Sequence, residues 1–397
     1  MRSYRIGELE FQEDCFQFQD ALEQAFTRRL RPLCLCQPDG VPMYVARFEG
    51  QYLVKRMPST GPDHHSSCEA FQPSLGLSPV ENLLGEAIRF DKEQAMVSLR
   101  LGFSLSKNAS RTSAAPSASI TDTVKITDKR LSLRSLLHYL WQEAELCEWI
   151  PAWSGKRGWG KVRANLLDAA RHMRVKSGVL SDTLFIPEIF HADEKAAIAT
   201  RRAHSLVPLA RHGNGKRQLM VLIGEVKECG EARNGQRLIV KHMPDFPLLI
   251  EERGWKRLQK TFARELAFWE ADPDLHLVTI LTFGLNIAGL PVIEEIALMI
   301  TTQNWIPFET LDELTLLGFL TRYRQKSVKG LRFQLPENKP TVCVLLPEAR
   351  PKSIAMFVVP ADADQAYETA LDDMISASPE IDPWIWRVGN GGMPPLP

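Results

Sequence analysis

Between Pro32 and Phe71 the chain sets down Cys34 and Cys36, then an alternating stretch, then His64, His65 and Cys68. Few sequence features constrain a fold more, because one metal ion fixes several side chains at a single point. The intervening stretch decides whether those groups can meet. Met43, Val45 and Phe48 sit among polar neighbours, Gly50 interrupts, and Tyr52, Val54 and Met57 resume the pattern. Two alternating segments around a glycine turn predict a β-hairpin. The arms 36–42 and 57–64 both carry turn residues: Pro38, Asp39 and Gly40 on one side, Pro58, Ser59, Gly61 and Pro62 on the other. A hairpin returns its far end to its start. Cys34, Cys36, Cys68 and one histidine are therefore expected at its base as a closed tetrahedral set for a structural Zn2+. His65, which gives H-x-x-C, is the expected fourth ligand, and His64, at H-x-x-x-C, is the alternative. Two plainer readings compete. The cysteines could be small buried hydrophobes, or Cys34 and Cys68 could form a disulfide, which the missing secretory-type leader argues against.

Length and charge bound the rest. The chain has 397 residues, enough for two or three domains, and a formal net charge of zero. A neutral chain lacks the overall basic surplus of a general nucleic-acid binder, though a local basic face is still possible. Cys15, Cys147, Cys229 and Cys343 read as free thiols. No apolar run reaches membrane length, and a cytoplasmic location with no membrane association is expected.

The order of elements predicts an α+β protein. Residues 1–103 form a small zinc-stapled module built on the hairpin. Residues 104–127 are rich in Ser, Ala and Thr and read as a flexible linker. A helical block is expected over 128–205, and a mixed α/β domain over 206–397. Within the last region, segments 219–226 and 237–242 bracket a hairpin turn at Asn234-Gly235. A helix is expected over 249–270, strands over 276–283 and 293–301, and a helix over 311–324. Two further strands, 341–346 and 353–359, precede a helix over 363–376.

Two constellations bear on chemistry. The stretch WIPAWSGKRGWG interleaves Trp149, Trp153 and Trp159 with Lys156 and Arg157 on a glycine-flanked loop. A second basic run holds Lys326, Lys329 and Arg332. These five cations are the expected phosphate contacts of a nucleic-acid binder. The competing reading makes the tryptophans core anchors between helices. Glu225-Val226-Lys227, at the end of an apolar strand, would put a carboxylate and an amine on one face, as metal-dependent nucleases do. A surface ion pair is the plainer explanation. The strand–strand–helix from Thr341 to Ser376 has the outline of a restriction-endonuclease-like core. Its strands carry Val342, Val344, Met356 and Val358 where acids would be needed, so such a core would be inactive.

Cys34, Cys36 and Cys68, together with RMPSTGPDHHSSC, WIPAWSGKRGWG, LFIPEIF, IGEVKE and SVKGLRF, resemble an uncharacterised bacterial family of unknown function with three N-terminal cysteines. The resemblance spans most of the chain. It implies that the cysteine cluster is a family trait and that the protein belongs to mobile elements such as plasmids. It supplies no activity. The expected role is a structural-zinc accessory protein that binds nucleic acid or a protein partner, with no small-molecule cofactor. The alternatives are a metal-dependent nuclease using Glu225 and Lys227, and a pure protein-interaction scaffold.

Overall fold

The computed structural model describes residues 2–397 apart from 49–50, 58–59, 66–67, 69, 72–77, 92–95, 109–129, 211, 214–215 and 234. Of the expected linker, 104–127, residues 109–127 lie outside the described residues, as do the turn residues Gly50, Pro58, Ser59 and Asn234, while Ser106–Asn108 is a strand paired with Lys216–Gln218. The protein is α+β. Among the described residues no helix is long and apolar enough to cross a membrane.

The N-terminal sheet has five strands. Leu9–Gln12 and Ser3–Ile6 come first, then Leu33–Cys34, then the expected hairpin of Val41–Phe48 and Gln51–Arg56, whose register runs from Met43 opposite Arg56 to Phe48 opposite Gln51. Cys34 pairs with Tyr4 on one side and Val41 on the other, so its strand is fixed from both edges. The helix Phe18–Arg28 buries Phe18, Leu22 and Ala25 against this sheet. Phe18 stacks on Tyr4 with ring centroids 5.4 Å apart. Leu30 follows Arg29, which takes a left-handed backbone (φ 56°) and closes the helix. The buried cluster here is small: Tyr4, Ile6, Phe18, Leu22, Ala25, Cys34, Val41 and Met43.

A second and far larger cluster takes in buried residues from Val80 to Trp386. The helix Leu133–Glu143 lies within it, with Leu136, Leu137, Tyr139, Leu140 and Trp141 all buried. Ser132 caps its start by accepting from Ser135 N. The helix Trp159–Arg171 follows the glycine-flanked loop. Trp149 and Trp159 are core residues, as the plainer reading of that stretch expects.

Five strands close on themselves in the C-terminal half. The first, Met220–Ala232, is long enough to serve two neighbours. Its first half, 220–225, pairs with the fourth strand, His276–Leu285, and its second half with the second strand, Gly235–Val240. The third strand, Leu248–Ile250, pairs antiparallel with the second and parallel with the fifth, Pro291–Thr301, and the fifth returns to the fourth. The circuit is first–second–third–fifth–fourth–first, with helical segments between the third and fourth strands. This is the strand order of the Greek-key OB barrel. Gly224 lets the second strand approach closely, since a Cβ there would strike the Val240 side chain at 2.4 Å.

The single helix expected over 249–270 is corrected by this arrangement. Leu248–Ile250 is a barrel strand, and two helices, Glu252–Thr261 and Ala263–Ala271, follow it with a break at Phe262. The strands near 276–283 and 293–301 and the helix starting at Leu311 are present. Beyond them Ser353–Val359, the helix Gln365–Ser376 and a final strand Ile381–Arg387 form a βαβ unit with parallel strands. That final strand tolerates Pro383 because it is the outer member of its sheet.

Candidate metal centre

The hairpin delivers its two ends to one place. Cys34 ends its strand and Cys36 lies two residues on, so both can face one side. The returning arm makes a short 3-10 turn, Gly61–Asp63, steadied where the Thr60 hydroxyl donates to Met57 O at 2.8 Å. That turn buries His64, which is 2% exposed, and leaves His65 at the surface. Cys34, Cys36, His64 and Cys68 then each offer one donor atom within 4.8 Å of the others, a group that could hold a metal ion. Cys34 Sγ lies 3.8 Å from Cys68 Sγ. His64 Nδ1 lies 3.3 Å from Cys36 Sγ and 3.7 Å from Cys68 Sγ.

The expected histidine is therefore corrected. His64 brings its ring to the sulfurs, and His65 contributes its backbone N–H, which donates to Cys36 Sγ at 3.4 Å. An N–H aimed at sulfur favours the thiolate over the thiol. The physical reason is local: the chain leaves the 3-10 turn at His64 in an extended conformation (φ −77°, ψ 154°), so the side chains of His64 and His65 point to opposite sides. The disulfide alternative fails too, because Cys34 and Cys68 are free thiols.

The protonation states suit a metal. Burial, reinforced by Arg56, holds the His64 imidazole down to about 4, which keeps it neutral with a lone pair to give. Burial pushes the Cys34 thiol up to about 12, and Cys36 and Cys68 beside it add to the effect. Burial pushes Cys68 up as well. Three crowded sulfurs cannot all ionise without a cation among them, so a divalent ion is the natural complement. His64 Nε2 is buried with no hydrogen-bond partner. A ring anchored only through Nδ1 at the cluster is consistent with ligation through that atom.

Glu225 and Lys227 do not form a pair. The first strand has a bulge between Val226 and Glu228, which leaves Lys227 unpaired and breaks the alternation on which a shared face depends. Lys227 is exposed, while Glu225 is 3% exposed. Glu225 Oε1 accepts from Lys241 Nζ at 2.5 Å and meets His276 Nδ1 at 2.7 Å. Burial alone would raise this carboxyl, but His276 and Lys241 hold it below the usual carboxylate range. His276 in turn stacks on Trp305 at 3.9 Å. Among the described residues the group of three or more donors that could share a metal is the three cysteines and His64, and Glu225 is not in it; the groups that meet the Glu225 carboxylate are Lys241 and His276.

Most of the expected phosphate contacts are engaged inside the protein. Arg157 donates to the carbonyls of Leu146 at 2.9 Å and Glu148 at 2.5 Å, and lies over the Trp153 ring at 4.8 Å. Lys329 is 6% exposed and sits between Glu313, at 3.4 Å, and Gly330 O, at 2.7 Å. Arg332 pairs with Glu309 at 2.9 Å. Lys326 pairs with Glu348 at 2.8 Å on the surface. Lys156 is exposed. A basic run in sequence carries no information about the acids that tertiary folding sets beside it.

Lys156 borders a cleft of about 1250 Å³ between the N-terminal module and the central helices. Its cations are Arg2, Lys55, Arg56, Lys156, Arg157, Lys161 and Lys326, and its carboxylates are Glu13, Glu145, Glu148 and Glu348. Three of the carboxylates each pair with one of these cations: Glu13 with Arg2, Glu145 with Lys55, and Glu348 with Lys326. Arg157 is taken up by backbone carbonyls, Arg56 donates to Ala70 O at 3.4 Å, and Lys156 is exposed. The sequence reading missed Lys55, Arg56 and Tyr52 as part of this cleft. The only signal was their place at the end of the hairpin.

No curated protein and no solved structure matches the chain. The family model described as "Protein of unknown function (DUF1173)" matches residues 4–389, and the chain is a member of that family.

Proposed function

We propose that this chain is a binding protein whose N-terminal module is held together by one structural Zn2+. The observation that carries the reading is the convergence of four donor atoms at the hairpin base. For a metal–sulfur bond of about 2.3 Å, the edge of a tetrahedron is about 3.8 Å. The Cys34–Cys68 separation of 3.8 Å and the shorter distances to His64 Nδ1 match that shape. Three thiolates and an imidazole are the donors zinc takes in closed structural sites. With four protein ligands there is no open position for an activated water, so the ion serves the fold. The bound partner is nucleic acid or another protein. The barrel's strand order belongs to a fold used for oligonucleotides and oligosaccharides, but the outward residues of its second and third strands include Arg237 and Leu249 and offer no aromatic ring.

Metal analysis of purified protein tests this reading. One zinc per chain is expected in the wild type and in His65→Ala. Zinc is expected to be lost in Cys68→Ser and His64→Ala. A wild-type protein that carries no zinc and takes none up would end the proposal.

A further inference from the structure

We propose that the strand Gln51–Arg56 accepts an extended segment of a partner protein as an added β-strand. The inference rests on the reading of the chain as a binding protein, and it selects a protein over nucleic acid as the partner. This strand is the outermost member of the five-stranded N-terminal sheet, so one of its sides is left out of the ladder. The register fixes which groups face that side. In an antiparallel pair the N–H and C=O of one residue point the same way, and the direction alternates along the strand. Met43 N donates to Pro32 O at 2.8 Å, so Met43 is turned toward its inner neighbour. By alternation Val45 and Arg47 are turned the same way. Their partners across the hairpin, and that of Met43, are Val54, Tyr52 and Arg56, whose backbone groups therefore point outward. The Gln19 side chain agrees with this direction. Its amide donates to Tyr52 O at 3.0 Å, and its carbonyl accepts from Tyr52 N at 3.1 Å. Those are the two bonds a neighbouring strand makes. Past Tyr52, among the described residues, no group bonds to the backbone N–H or C=O of Val54 or Arg56.

The open edge faces the cleft of about 1250 Å³, which residues 52–56 all line. Small-molecule sites hold about 300–1,000 Å³, and this cleft has room for a stretch of polypeptide. Ile150, Trp153 and Ile189 line it too, so the edge is recessed. A recessed edge admits a single extended segment and hinders the sheet of a second copy. Leu53 and Ile189 are 38% and 41% exposed in this cleft. On a strand added here every second side chain lies on the face of Leu53, so the fitting segment carries apolar residues at alternate positions. A nucleic acid does not match the edge. Its phosphates only accept hydrogen bonds, whereas Val54 and Arg56 each present a carbonyl beside the N–H.

The test uses full-length, metal-analysed protein as the target for a phage-displayed library of random peptides, and the enriched peptide, fluorescently labelled, as an anisotropy probe. The enriched peptides are expected to alternate apolar residues. Val54→Pro removes an outward N–H and no bond of the ladder to Val41–Phe48, an orientation in which edge strands tolerate proline. It is expected to weaken binding about ten-fold or more. Leu53→Lys alters an exposed side chain and no backbone group, and it is expected to weaken binding as well. A melting curve checks that each variant is folded. Hydrogen exchange supplies a readout that a structural role would not move. Bound peptide is expected to slow the amides of Val54 and Arg56 and to leave those of Leu53 and Lys55, already in the ladder, unchanged. Failure to enrich any peptide overturns the inference, as do peptides that bind Val54→Pro as well as wild type with no slowing at Val54. Displacement of the peptide by oligothymidylate overturns it in favour of nucleic acid. Dimers that Val54→Pro abolishes overturn it in favour of a second copy. The zinc reading stands or falls separately, on the metal content of the same preparation.

Discussion

The N-terminal module and the C-terminal barrel solve the same problem with different means. The barrel strands are buried on both faces: Leu222, Val278, Ile280, Leu281, Phe283 and Ile300 are all fully buried in the cluster that runs from Val80 to Trp386. The module has a sheet of similar strand number but, among the described residues, buries eight in its own cluster. So small a core falls short of the ordering cost of the chain around it, and natural domains of this size add a metal or disulfides. A metal ion at the four-donor site, as proposed, would supply that missing term at the place where the two arms of the hairpin meet. Hydrophobic area sustains one region, and under the proposed zinc site coordination would sustain the other.

Removing the metal strikes hardest at this contrast. Chelation is expected to withdraw on the order of 10 kcal/mol of binding energy from the module and little from the barrel. Amides of Val41–Phe48 and Gln51–Arg56 should then exchange with solvent rapidly, while those of His276–Leu285 and Pro291–Thr301 stay protected. Simultaneous loss of protection in both would show that the regions are one cooperative unit. The site loses protons when it binds metal, because the raised Cys34 and Cys68 thiols must ionise. Chelation should therefore become easier as pH falls.

Leu281→Ala probes the other side of the comparison. Leu281 is fully buried, and its truncation is expected to cost about 3 kcal/mol of barrel stability. Calorimetry should show the barrel transition lowered with zinc content unchanged. A drop in zinc content would couple the two regions.

The smallest effect concerns the buried carboxylate of the barrel. Glu225 titrates below the ordinary value of 4.5 in the folded chain, because His276 and Lys241 stabilise its charge against the cost of burial. Its contribution is present above that ordinary value and is lost as pH falls through the lower, folded one. Glu225→Gln should therefore lower stability by about 1–2 kcal/mol at neutral pH and flatten the acid limb of the stability curve. An unchanged acid limb would mean that other carboxylates control it.

Much of the fold is legible locally. The helix Leu133–Glu143 announces itself through Leu133, Leu136, Leu137, Leu140 and Trp141 at helical spacing. The fourth and fifth barrel strands appear as apolar runs. The third strand does not, because Leu248–Ile250 is three residues long and runs straight into a helical pattern. Its identity as a strand comes from hydrogen bonds to Gln236, Arg237 and Leu238 on one side and from pairing with Val292 on the other. Barrel closure is equally silent in the sequence, since it depends on one strand, Met220–Ala232, pairing with both the second and the fourth strand. The site divides in the same way. Cys34, Cys36 and Cys68 are visible as a cluster of donors. The choice of His64 over His65 turns on where the extended backbone begins after a single 3-10 turn.

Taken alone, the sequence determined the elements whose signal is local: the hairpin, the main helices, the soft donors at the hairpin base and the overall charge balance. Tertiary structure decided what each charged side chain meets. It set Lys329 against Glu313, Glu225 against Lys241 and His276, and Lys156 at the rim of an open cleft. Periodicity and donor type are properties of neighbouring residues, whereas desolvation and ion pairing depend on groups far apart in the chain. Only the folded protein brings those together.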